Sequence, residues 1–462
     1  MKGLIAKISQ TLGVQFITSI LFILTLNSIY AQKDFLLYGL DNVAQSQYVN
    51  PAFGTNSKAY FSFPLLNQSV GLSHSGFQFN HLVHQRAEDD SLVLKPDIAI
   101  SKMTSINYLT SDIQNELFSM GFSVKKTFFS LSVVNKLQTR FMYPKDLFTI
   151  AFEGNGKSLL GKRASFDGMG VDALSYLEIG VGFNREINDK LKIGGRLKYL
   201  NGMANIHTRK SDLGVFTDET TFDLTVDGSF EINSSNIEQF TGTNGVIQTS
   251  DFIGKNKGVG IDLGAVYKLT DKIELSASVV DLGVISWKSN VKSYETNNFE
   301  FRFEGVDMEQ FLSDSSDVLQ TFVDSLETSF TVSENEEAYR TGLYTRVYIG
   351  GKYSLTEKVS VGGVWYNEFI NSRYRAAITA SGDVQLTNWL RAAVNYTYYS
   401  RDYKNVGMGF VINGGPVQFY LMTDNVIGFV APYATKNWHF RTGINFLIGR
   451  DKKIRDDAGS LE

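Results

Sequence analysis
The sequence predicts an all-β protein, a transmembrane antiparallel β-barrel of about 14 strands. Three observations lead there. After residue 31 no apolar run reaches the 18 residues or so that a spanning helix needs, and a closed barrel is the other structure that crosses a bilayer. Stretches of roughly ten residues alternate polar and apolar side chains, one after another. The connections between them are either very short or very long, as in barrels with tight periplasmic turns and long external loops. Composition agrees, with 41 Gly, 34 Phe and 22 Tyr against 6 Pro in 462 residues. The near balance of 44 basic and 48 acidic residues excludes a nucleic-acid partner. The lack of cysteine excludes disulfide scaffolds, zinc–cysteine sites and thiol catalysis.

Residues 1–31 read as a signal peptide. Lys2 and Lys7 precede a 13-residue apolar core, Val14 to Leu26, and a small-residue exit ending at Ala31. The barrel is expected over 57–450 and a periplasmic tail over 451–462. Alternation is plain at Leu177–Phe183, Leu191–Tyr199, Val259–Tyr267, Ile273–Val279, Leu343–Ile349 and Trp438–Phe446. Counting back from the C-terminus, strands are expected at about 436–449, 415–425, 404–413, 388–400, 372–386, 357–369, 340–355, 272–287, 258–269, 190–205, 174–187, 127–141, 117–125 and within 57–78. Short turns at Asn188–Lys190, Thr270–Lys272, Thr356–Lys358 and Thr387–Trp389 then share the periplasmic side. Long extracellular loops, about 142–173, 206–257 and 288–338, lie opposite.

Several groups of residues invite a functional reading. Lys190, Lys192, Arg196 and Lys198 form a lumen-facing basic ladder; they could meet an anionic ligand or select ions, or pair with acids such as Glu178, Asp262 and Glu274. Residues 307–327 carry Met308, Phe311, Leu312, Leu319, Phe322 and Leu326 at helical spacing, within an external stretch of 12 acids and one base between Glu295 and Glu337. This lid-helix candidate could close the mouth, dock a partner or pack on another loop. Ala151–Ser158 loosely fits a phosphate-loop pattern but falls in an external loop, without the strand and helix that such a loop needs. His81 and His84 have no carboxylate pair at ligand spacing. No serine elbow or triad is evident. Neither an enzyme, a metal nor a cofactor is therefore expected.

The run Tyr48-Val49-Asn50-Pro51-Ala52-Phe53, shortly after the signal peptide, resembles the start of FadL-like outer-membrane barrels. That resemblance implies 14 strands and places residues 32–56, with Asn50, Pro51, Ala52 and Phe53, in a hatch filling the lumen from below. Ile193–Gly202, Gly260–Ala265, Asp281–Trp287 and Asp424–Gly428 resemble an uncharacterised Bacteroidota outer-membrane barrel family, catalogued as a domain of unknown function. The outline is also similar to PorV of the type IX secretion system. The resemblances imply the outer membrane of a Gram-negative bacterium, with its lipid as one partner. Two functions follow from them: a hatch-gated conduit for small apolar molecules, or a non-conducting scaffold for a secretion-system or surface protein. The conduit would need an apolar pocket above the hatch; the scaffold would have a well-filled lumen.

Overall fold
The computed structural model describes residues 34–55, 57–86, 88–237, 254–296, 298–303, 332–370, 373–399 and 405–450. The leader, the tail and the 307–327 segment with Met308, Phe311, Leu312, Leu319, Phe322 and Leu326 lie outside the described residues.

Fourteen strands form one closed antiparallel barrel. β1 comes in two pieces, Ser57–Ser62 and Asn67–His74, followed by β2 (Ile106–Val124), β3 (Thr127–Pro144), β4 (Gly170–Glu186) and β5 (Leu191–Thr217). Next come β6 (Lys257–Lys268), β7 (Ile273–Trp287), β8 (Tyr339–Gly342 and Thr345–Ser354), β9 (Val359–Ile370) and β10 (Arg373–Thr387). β11 (Leu390–Tyr399), β12 (Val406–Gly414), β13 (Val417–Thr423) and β14 (Asn437–Arg450) complete the wall. β14 returns to β1, with Ala59 opposite Ile448 and Leu72 opposite Trp438, and the sheet closes on itself.

The period-2 pattern sorts side chains between lipid and lumen. On β4, Ile179, Val181 and Phe183 point outward, while Glu178, Gly180, Gly182 and Asn184 point inward. Leu197, Val259, Trp365, Ile378 and Val394 continue the exposed apolar belt around the wall. The short turns share a chemical device. Asn188 Oδ1 accepts the backbone N–H of Leu191 (2.8 Å), and Thr270, Thr356 and Thr387 accept the N–H three residues on at 3.0 Å each. These side chains hold the chain reversed where few backbone bonds can form.

The opposite end departs from expectation. Much of 206–257 and 288–338 is sheet rather than loop. β5 continues to Thr217 and pairs with Leu224–Ser235, which pairs in turn with Val291–Thr296 and Phe299–Phe303. Val332–Asn335 adds to Val291–Thr296. Most side chains of this sheet are buried or half-buried and polar residues occur on both of its faces, so its strands lose the lipid–lumen contrast that marks the barrel strands. β2 likewise begins at Ile106 rather than near 117, because its upper part has polar residues such as Ser111 and Asn115 on the outer face.

Candidate functional site
The lumen is filled at three levels. The lowest is the segment 34–54, which lies inside the barrel and carries the helix α1 (Phe35–Gly39) and a 3-10 turn at Ala44–Tyr48. Phe35, Leu36, Leu37, Leu40, Val43, Val49 and Phe53 form one buried apolar cluster with wall residues including Tyr348, Tyr366 and Tyr420. Phe35 meets Tyr366 edge-on at 5.2 Å, and Tyr38 stacks on Tyr348 at the same distance.

Asn50, Pro51, Ala52 and Phe53 are all buried at the lower end of this segment. Asn50 folds its own turn by accepting the N–H of Ala52 (3.0 Å). Ser278 donates to the Val49 carbonyl (2.6 Å) and Asn184 to that of Phe53 (3.0 Å). The wall makes room with two glycines facing each other across β5 and β6. A Cβ at Gly194 would overlap the Pro51 carbonyl, and one at Gly264 would overlap the Asn50 side chain.

Wall side chains also bind the upper part of the segment. Arg441 grips Asp34 with two nitrogens (2.6 and 2.8 Å). The first turn of α1 lacks a cap of its own, and the Asp424 carboxylate supplies one by accepting from the Phe35 and Leu36 N–H groups (3.1 and 2.8 Å). Glu116 of β2 accepts from Gln45 (3.1 Å) and from the Tyr48 hydroxyl. Asp41, at the lower rim, pairs with Lys352 (3.3 Å) and Arg391 (3.6 Å).

Above this segment sits an ionic layer on strands β3 to β8. Glu178, Asp262 and Asp281 meet Lys136, Arg196, Lys198 and Arg346, and all seven are buried. Lys198 reaches all three acids, at 3.5 Å to Glu178, 2.6 Å to Asp262 and 2.5 Å to Asp281. Arg196 bridges Glu178 and Asp262 at 3.1 Å each and lies over the Tyr48 ring at 4.8 Å, which joins this layer to the one below.

The basic ladder therefore divides. Arg196 and Lys198 enter the ionic layer with Glu178 and Asp262, whereas Lys190 and Lys192 line the mouth at the short-turn end with Glu274. Asp281 takes the place foreseen for Glu274. A bulge puts it there: Ile261 opposes Leu282 and Leu263 opposes Val279, so β7 carries an extra residue. Asp281 adopts φ 58° and turns inward, its N–H donating to Asp262 (2.7 Å). The signal lies in the sequence as a change of parity, with apolar outer positions 275, 277 and 279 giving way to 282 and 284.

The top level is apolar and packed. Leu174, Tyr176, Leu200, Ile285, Trp287, Val291 and Leu343 cluster beneath the external sheet, and the Trp287 indole donates to Thr341 (2.8 Å). Among the described residues the volume beside Tyr38 is 30 Å³ and that beside Arg140 is 10 Å³, each room for about a water or two. Larger volumes lie at the ends: 450 Å³ at the mouth on the short-turn side, around Asp41, Lys190 and Lys192, and 340 Å³ among the strands of the added sheet at the other end. The loose phosphate-loop match has the wrong polarity, because the helix Lys145–Glu153 precedes its glycines instead of following them. His81 spends its ring on the Gln78 N–H (3.2 Å).

Fold and lumen together define a closed antiparallel β-barrel that holds its own N-terminal segment and an ion-paired layer inside it. The chain belongs to the DUF5723 family, a family of unknown function, matched over residues 51–424. No curated protein matches it. Among solved structures it is similar to the toluene transporter TbuX of Ralstonia pickettii, at 8% identity and TM-score 0.43, covering 89% of this chain and 95% of that chain. It is also similar to the toluene transporter TodX of Pseudomonas putida, at 12% identity and TM-score 0.38, covering 87% and 92%. A FadL homologue of Pseudomonas aeruginosa is similar at 10% identity and TM-score 0.37, covering 88% and 94%.

Proposed function
We propose that this chain is an outer-membrane barrel of a Gram-negative bacterium, closed to free diffusion, that serves as a non-conducting scaffold. In this reading it presents its external sheet to a secretion-system or surface protein. The observation that carries the reading is the filled lumen. An apolar core, an ion-paired layer and a second apolar cluster follow one another with no apolar channel among the described residues. The ionic layer belongs to the wall and cannot leave with the inner segment, so an apolar solute moving along the axis would have to cross seven charged side chains.

A second reading has one observation in its favour. The segment 34–54 is held by non-covalent contacts only, and its lower end opens on the 450 Å³ mouth. Residues 32–56 would then be a displaceable hatch, with Asn50–Phe53 its hinge, in a conduit for small apolar molecules. Vesicles loaded with the folded protein separate the two. The scaffold reading expects no uptake of a small sugar or a small apolar probe above that of protein-free vesicles. Uptake of the apolar probe by the intact chain favours the conduit.

A further inference from the structure
The connection 424–436, between β13 and β14, passes through the barrel wall within a few residues. Asp424 and Asn425 are fully buried in the lumen, whereas Phe429 and Val430 are 48% and 79% exposed. The wall is low at this point. β13 is seven residues long, and its uppermost pair with β14 is Met422 with Arg441, so β13 offers no partner to Asn437–Phe440. Phe429 covers the gap from outside, 5.2 Å from Trp438 and 6.3 Å from Phe440, and continues the lipid-facing surface of β14. Tyr433, 54% exposed, completes an apolar knuckle at this rim.

The inner end of the same connection is the cap on the inner segment. Both Asp424 oxygens are engaged, Oδ1 by the Leu36 N–H (2.8 Å) and Asn395 (2.9 Å), Oδ2 by the Phe35 N–H (3.1 Å) and His439 (3.1 Å). Two bonds fix it to its neighbours: the Val426 N–H donates to the Val406 carbonyl (2.7 Å) and Asn425 to that of Asn437 (2.9 Å). A displacement of about an ångström takes such hydrogen bonds out of range. Four residues separate the carboxylate from the knuckle.

We propose that this connection is a lever between the membrane boundary and the lumen. With the Phe429–Val430–Tyr433 knuckle seated against acyl chains, Asp424 caps α1; with the knuckle lifted, Asp424 withdraws and the first turn of the inner segment is released. The lever rests on the closed-barrel reading and adds a means by which the outer surface changes the periplasmic face.

The absence of cysteine gives a clean test. Leu37→Cys places a reporter at a fully buried position of α1. Its labelling by a water-soluble maleimide is followed in full-length protein reconstituted in lipid vesicles, with the fold checked by heat-modifiable migration. Asp424→Ala and Val430→Asp, each added to the reporter, are expected to raise the rate about tenfold or more, the factor set by losing one hydrogen bond to a charged group. Phe222→Asp, in the exposed turn that joins two strands of the external sheet, is expected to leave it unchanged. If Val430→Asp does not fold, Asn425→Ala replaces it, since it frees the connection from β14. Labelling in Asp424→Ala but not in Val430→Asp or Asn425→Ala overturns the lever. Protection in every variant overturns the capping role of Asp424. Fast labelling of the reporter alone instead overturns the closed barrel on which the lever rests.

Discussion
Gly194 is where the inner segment meets the wall most closely, so Gly194→Ala is a small change with a calculable effect. The new Cβ would overlap the Pro51 carbonyl and lie 2.5 Å from the Ala52 nitrogen, where ordinary contact is 3.4–4 Å. The obstructing atoms are backbone and cannot swing aside. Either the turn at Asn50–Phe53 moves by about an ångström or β5 bends. β5 is pinned on both sides at this residue, by Asn184 of β4 and Gly264 of β6, so the turn should yield. Overpacking of this kind costs about 1–3 kcal/mol, which raises the unseated population by roughly 5- to 150-fold. Ala44→Cys, 2% exposed in the 3-10 turn, reports it by maleimide labelling from the periplasmic side. Labelling should accelerate by that factor while heat-modifiable migration stays that of a folded barrel. Labelling at the parental rate would refute the close seating of the turn on Gly194.

Other consequences follow from the same geometry. Asp281→Ala strands Lys198, Lys136 and Arg346 around a lost carboxylate and should destabilise the barrel by about 3–5 kcal/mol in urea unfolding, whereas Leu92→Ala on an exposed hairpin should be near neutral. Trp287→Ala empties the apolar cluster beneath the external sheet, costs about 3–5 kcal/mol, and should expose Asn205–Thr217 to protease while the barrel itself persists. Burial alone would raise the Asp34 and Asp41 carboxyls, but Arg441 beside Asp34, and Lys352 and Arg391 beside Asp41, outweigh it and hold both below the ordinary value of 3.8. A lowered folded pKa means their grip is complete above 3.8 and is lost as pH falls below it. Labelling of Ala44→Cys, taken relative to an exposed reference cysteine to remove the thiolate's own pH dependence, should therefore be flat from pH 7 to about pH 5 and rise only under stronger acid; a relative rise between pH 7 and 5 would contradict the assignment.

How far the sequence discloses this architecture depends on which two environments a strand separates. Where lipid faces lumen, as along Leu191–Tyr199 or Trp438–Phe446, apolar and polar side chains alternate with breaks only at Gly195 and Thr442, and the short turns mark which strands are neighbours. Where polar residues occupy both faces, as from Asn205 to Thr217, that contrast vanishes and strand resembles loop. Arg196 and Lys198 were legible as lumen residues because their strand keeps one phase. Asp281 was not, because the bulge shifts β7 by one residue, and a fixed odd–even count then assigns it to lipid. The Asp424 cap was beyond reach for another reason. It joins residues 389 and 388 positions apart, and nothing local in either stretch announces the contact.

Single-channel recording in planar bilayers tests the central claim most directly. The intact chain, verified as a folded barrel, should be electrically silent. A chain lacking residues 32–56 should still pass at most a small current, because the ionic layer of Glu178, Asp262, Asp281, Lys136, Arg196, Lys198 and Arg346 stays on the wall. Steady stepwise openings of the intact chain would contradict the closed barrel. Large openings confined to the shortened chain would mean that the inner segment alone closes the pore, and that the hatch-gated conduit, not the scaffold, describes this protein.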